Sequence, residues 1–225
     1  MVLVVVLALV VVLFGDGFVR SRIEQQVGSS MTTSLGGQTT VTLDDRSVLL
    51  GIARNRFESL NGTAPTARFT QGTGDQKTTL TVKDLSFTAT GVGNLRGSGP
   101  YAIEQLGARA TVTYAELSRL AGTEITSAGG DRVKLRQSTS LWGAEVAIEV
   151  TARPGLGADG SLTLDDPAAT VSGISVPETL LRPLMSRITD RVELPPVSGM
   201  GYDSLTAGTG GVSVTMSGSN VELPR

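Results

Sequence analysis

The chain has 225 residues, enough for one sizeable domain or two small ones, and a formal net charge of −2. With no basic excess and only three lysines (Lys77, Lys83 and Lys134), it is not built to hold nucleic acid. It has no histidine and no cysteine, which removes the commonest general base, the commonest metal ligand, disulfides and thiolate chemistry.

The first element is "MVLVVVLALVVVLF", 14 residues without a polar side chain. As a helix it spans roughly 21 Å, short of a ~30 Å hydrocarbon core unless it continues through Gly15 and Asp16 to Val19. Residues 1–19 read as an uncleaved signal anchor or as the apolar region of a secretory signal. Either reading exports residues 20–225 across a membrane, membrane-anchored or secreted. Arg20 and Arg22 follow directly, an arrangement the positive-inside rule weakly disfavours.

From Val19 an apolar residue recurs every four positions, at Ile23, Val27, Met31 and Leu35. The spacing predicts an amphipathic helix ending at Gly36-Gly37. Val41 and Leu43 then alternate as a strand. "SVLLGIARNRF" (47–57) reads as a short helix with Ser47 as N-cap. Thr78, Leu80 and Val82 share one strand face. Leu85, Phe87 and Ala89 share a face of the other parity, so a bulge or bend is expected at Lys83-Asp84. Ala110 and Val112 face one way, Arg109 and Thr111 the other. "TYAE" (113–116) is a capping box opening a helix with an apolar stripe of Leu117, Leu120 and Ala121, closed by Gly122. Val133 and Leu135 resume the strands, and Val146, Ile148 and Val150 continue them.

"PGLGADGSLTL" (154–164) holds a literal G-x-G-x-x-G at Gly155, Gly157 and Gly160. A dinucleotide site needs a helix after that turn, because the helix N-terminus binds the pyrophosphate. Here "SLTL" alternates as a strand, with Leu162 and Leu164 on one face, so the glycines are read as a hairpin loop. "PETLLRPLMSRITDRV" (177–192) is the strongest helix pattern. Leu180, Leu184 and Ile188 share a face widened by Leu181 and Met185, with a kink at Pro183. A last hairpin turns at Gly208–Gly211 and puts Val212, Val214 and Met216 on one face.

Catalytic constellations are absent from the sequence. It has no G-x-S-x-G and no S-x-x-K, and a serine nucleophile has no histidine base. Asp44-Asp45 and Asp165-Asp166 are adjacent pairs that point to opposite faces of a strand, so they read as turn residues and not as a shared site. Asn61-Gly62-Thr63 fits a glycosylation sequon but reads as a turn. Trp142 reads as a hairpin tip that either dips into a membrane interface or packs over the sheet end. No cofactor and no metal is implied, and the chain is expected not to be an enzyme.

What remains is apolar surface. It either fills itself as core or leaves a groove for an acyl chain, whose burial gains ~0.8 kcal/mol per CH₂. Several stretches in order resemble the LmeA-like family of actinobacterial envelope proteins. They are the apolar segment running into "GDGFVRSRIEQQV", then "VLLGIARNRFESL", "LTVKDLSFTATGV", "ATVTYAELSRLAG", "AEVAIEVTARPGLGADGSLTL" and "VELPPVSGMGYDSLTAGTGGVSVTMSGSNVEL". "DDRSVLL" departs from the family pattern, which has glycine, proline and phenylalanine before the short helix. The resemblance implies an α+β fold, a strongly curved antiparallel sheet wrapped around one or two helices, of the tubular lipid-binding (BPI-like) class. It implies non-enzymatic binding, or transfer, of phospholipid or glycolipid at a membrane; an envelope glycosyltransferase is a partner only if the chain is a docking adaptor. On this basis Leu180, Leu184, Met185 and Ile188 are expected to line the lipid site with Phe57, Leu85 and Phe87 from the sheet, and Trp142 to meet the membrane interface. The alternative is a structural or adaptor domain that docks an envelope biosynthesis protein.

Overall fold

The computed structural model of the chain describes residues 20–26, 28, 29, 32, 36–45, 48–71, 78–96, 99–141, 144–171, 174–177, 179, 189, 194 and 199–223. The apolar run 1–19 and most of 177–192 therefore lie outside the described residues. Among those described, no helix is long and apolar enough to cross a membrane.

In chain order the elements are β1 (Thr40–Leu43), α1 (Val48–Ala53), β2 (Arg56–Gln71), β3 (Thr78–Gly93), β4 (Tyr101–Thr113), α2 (Tyr114–Ala121), β5 (Glu124–Gly129), β6 (Arg132–Leu141), β7 (Ala144–Leu156), β8 (Leu162–Val171), β9 (Ile174–Val176), β10 (Gly201–Ala207) and β11 (Gly211–Leu223). Residues 20–26 are also helical. Two sheets form. One has the order β1-β2-β3-β4-β11-β10 and the other β5-β6-β7-β8-β9. Every pairing is antiparallel; most join consecutive strands, whereas β4 pairs with β11 across the chain. The largest core lies between the sheets, drawing Ala64, Val82 and Val214 from one and Val133, Leu135 and Val150 from the other. A second core of Leu43, Val48, Phe57, Ala89, Val92, Ile103 and Val221 fills the β1–α1 end, where Ile23 of the helical segment packs on it.

The parity change of β3 is realised as a bend. Asp84 takes φ 50, and the register against β4 shifts between Lys83 and Ser86. The bend lets both Val82 and Leu85 face inward, at 4% and 7% exposure. One ladder crosses all six strands of the larger sheet: Val41, Gly62, Phe87, Ala108, Met216 and Tyr202 stand opposite one another in turn. The Phe87 ring packs on Gly62, where a Cβ would come within 2.0 Å of its Cζ. Gly62→Ala is therefore expected to lower stability by roughly 1–3 kcal/mol through overpacking. Most of that loss should vanish in a Phe87→Leu background, as a double-mutant cycle on urea midpoints would show.

Three expectations are corrected here. The helix expected over 47–57 stops at Ala53. Asn55 takes φ 58 and its N–H reaches Ile52 O at 3.1 Å, after which Arg56 starts β2; Ser47 lies outside the described residues. Asn61-Gly62-Thr63 is mid-strand in β2, not a turn, and Asn61 Oδ1 accepts from Thr88 Oγ1 at 2.8 Å. Asp45 is no simple turn residue. It is 6% exposed, its Oδ1 accepts the Glu58 N–H at 2.6 Å, and its Oδ2 has no partner among the described residues. Burial pushes this carboxyl above its ordinary range, against the opposing effect of the Glu58 N–H.

The free edge of β1 is closed by two side chains. Leu43 turns its N–H and C=O away from β2. Glu24 Oε1 accepts that N–H at 2.8 Å, and Arg20 donates to that C=O at 3.1 Å and also to Asp45 O. A carboxylate and a guanidinium on one helical segment thus take the places a neighbouring strand would fill.

Candidate functional site

The same device recurs where β4 ends. Beyond the Lys83–Thr111 pair, β3 continues without β4, because the chain turns at Thr113 into α2. Thr113 Oγ1 accepts the Glu116 N–H at 3.3 Å, one half of the expected capping box. The other half is not made. Glu116 Oε1 instead accepts the Thr81 N–H at 2.8 Å, and Arg119 donates to Thr79 O. Arg119 also binds Glu116 through Nε at 3.0 Å. On the opposite side, Ser118 Oγ accepts the Ile125 N–H of β5 at 2.8 Å, and Tyr114 donates to Gly208 O at 2.5 Å. Gly122, at φ 66, ends the helix and bonds back to Ser118 O, a backbone conformation that suits glycine. Helix α2 therefore clamps the edge of one sheet to the edge of the other.

Above that clamp the sheets flank a partly open cavity of about 90 Å³. Leu80, Val112, Leu205, Val212 and Val214 line it from the larger sheet, and Ile125, Val133, Leu135, Pro154, Leu162 and Leu164 from the smaller. Leu117 and Leu120 close it from α2, and Leu194 reaches in from the segment before β10. No lining residue carries a polar side chain, so the walls offer water no side-chain hydrogen bond. A cavity of ~150 Å³ holds a six-carbon ring, or on the order of 25 Å³ per carbon. By that measure about 90 Å³ accepts three or four carbons.

A family model of LmeA-like phospholipid-binding proteins matches residues 14–217. The chain belongs to this family. Comparison with curated proteins and with solved structures returned no match. This LmeA-like chain thus has an aliphatic interior between its two sheets.

The structure places the expected lining residues in three different surroundings. Phe57 is 6% exposed in the second core, with its ring against Gly51 of α1. Leu85 is buried in the core between the sheets. Phe87 sits between these, over Gly62. None of the three lines the 90 Å³ cavity. Leu180, Leu184, Met185, Ile188 and Trp142 lie outside the described residues. The lining that sequence reasoning did not name was still signalled by alternation, at Val133/Leu135, Leu162/Leu164 and Val212/Val214. The G-x-G-x-x-G is the β7–β8 turn: Gly157 N–H reaches Ser161 O at 2.8 Å, and β8, not a helix, follows.

Electrostatics bear on the clamp and not on the cavity. Arg119, donating to Glu116, holds that carboxyl below its ordinary 4.5, against a smaller effect of burial. A depressed carboxyl contributes stability that is present above its unfolded pKa and lost as pH falls through the folded one. Glu116→Gln is therefore expected to flatten the fall in melting temperature below about pH 4.5. Asp45 works in the opposite sense. Its raised pKa means stability falls as pH rises above 3.8.

Proposed function

We propose that this chain binds phospholipid, or a lipid-linked envelope precursor, by seating acyl chains between its two sheets, and that it catalyses no reaction. The observation that carries the reading is a cavity walled only by apolar side chains, in a chain whose family is a phospholipid-binding one. A 16-carbon tail needs on the order of 400 Å³ at the packing given above. The walls must part to take it. No strand ladder joins the two sheets among the described residues, and β10 merely lies against β7. Widening that seam breaks no backbone pairing. Burial of the whole tail would gain roughly 12 kcal/mol before the cost of opening is subtracted.

In this reading residues 20–225 form one tubular lipid-binding domain. The helix of residues 177–192 lies against the curved sheet with Leu180, Leu184, Met185 and Ile188 toward the tail, and Trp142 meets the membrane interface. Residues 1–19 direct the domain outside the cytoplasmic membrane, and transfer between envelope surfaces is the use that binding serves. Native mass spectrometry and lipid extraction of the purified full-length chain test the proposal. Phospholipid at near one molecule per chain is the expected result. Protein that carries no lipid and ignores liposomes would overturn it, and capture of an envelope glycosyltransferase by such lipid-free protein would favour an adaptor role.

A further inference from the structure

We propose that acyl chains enter and leave the interior over Phe69, at the β2–β3 end of the larger sheet. The inference rests on the acyl-chain reading above and adds the route. Phe69 stands directly opposite Leu80 across the antiparallel pair, and such partners project to the same face. Leu80 lines the cavity, so Phe69 continues that lining one strand outward.

Two positions inward on the same face, Ala67 and Val82 are buried at 0% and 4% exposure, whereas Phe69 is 41% exposed. The apolar wall meets water at this ring. Among the described residues only Leu50 is another large apolar side chain so exposed, and it sits on α1 at the far end of the sheet. Among the described residues no neighbouring strand pairs with this corner, and the Gly36–Gly37 segment lies beside β2 only at Thr66–Arg68. On one side β1 pairs only with residues 60–63 of β2. On the other, β4 pairs no farther along β3 than Lys83, and Leu117 and Leu120 of α2 continue the lining from there. A half-wet aromatic ring contiguous with an aliphatic cavity gives a tail its first apolar contact before the interior opens. That contact lowers the barrier to loading without being needed once the tail is seated.

The test uses the full-length chain and vesicles of phosphatidylglycerol carrying a pyrene-labelled phospholipid, with loading followed by stopped flow. Phe69→Ser is expected to slow loading roughly tenfold, equivalent to about 1.4 kcal/mol. Leu50→Ser, at the other end, should load at the wild-type rate. Loading of the Phe69→Ser protein at the wild-type rate, or equal slowing by Leu50→Ser, overturns the route while the acyl-chain reading stands. Wild-type protein that takes up no labelled lipid overturns both. Should Phe69→Ser fail to fold, Phe69→Trp in a Trp142→Phe background replaces it. Its indole is expected to be quenched by vesicles with brominated acyl chains, and an unquenched indole overturns the route.

Discussion

Val214→Phe is expected to empty the interior of lipid while leaving the chain folded. Val214 lines the cavity at 9% exposure, between Ala110 on β4 and Leu205 on β10. The ring adds four carbons, on the order of 100 Å³, to a space of about 90 Å³. The ring slightly exceeds that space, so an overpacking cost of roughly 1–3 kcal/mol is expected. Lipid per chain in native mass spectra should fall roughly tenfold or more, with the urea midpoint shifted only modestly. A folded Val214→Phe protein that still carries lipid at the wild-type level would move the seat of binding out of this cavity.

Phe57→Ala should do the reverse: it should cost stability heavily and leave lipid per folded molecule unchanged. Phe57 is 6% exposed, faces Val92 across the β2–β3 pair, and carries α1 on its ring through Gly51. A Cβ added to Gly51 would meet Phe57 Cδ1 at 2.8 Å, so helix and ring are already in close contact and the hole left by truncation has little to collapse into it. Loss of such a ring costs about 3–5 kcal/mol, a large part of the 5–15 kcal/mol typical of a domain. Urea unfolding checks the cost, and lipid extraction from the folded fraction checks the separation of the two cores. Loss of lipid from well-folded Phe57→Ala protein would show that this ring does belong to the binding surface.

Local pattern carried most of the elements. Alternation located the strands, the parity slip at Lys83-Asp84 located the bend of β3, and Thr113 and Gly122 marked both ends of α2. Alternation says which side chains turn inward, but not which of two interiors they enter. That is why Phe57, Leu85 and Phe87, read as one lining, fall in different surroundings. The cavity residues were visible only as separate strand faces, because the division into two sheets depends on non-local pairing. Side-chain hydrogen bonds escaped for a related reason. Glu116 was expected to bond its own helix terminus, but β3 offers an uncovered N–H at Thr81, and only the folded sheet brings the two together. Asp45 looked like a turn residue until the helical segment and β2 enclosed it.

The borrowed partners at Leu43, Thr79–Thr81 and Ile125 have a further consequence. A ladder that stops in water will accept a strand from any neighbour, and a molecule made chiefly of strands is always at risk of growing into filaments. By placing Glu24, Arg20, Glu116, Arg119 and Ser118 on those margins, the fold withholds these stretches from the strand of a second copy.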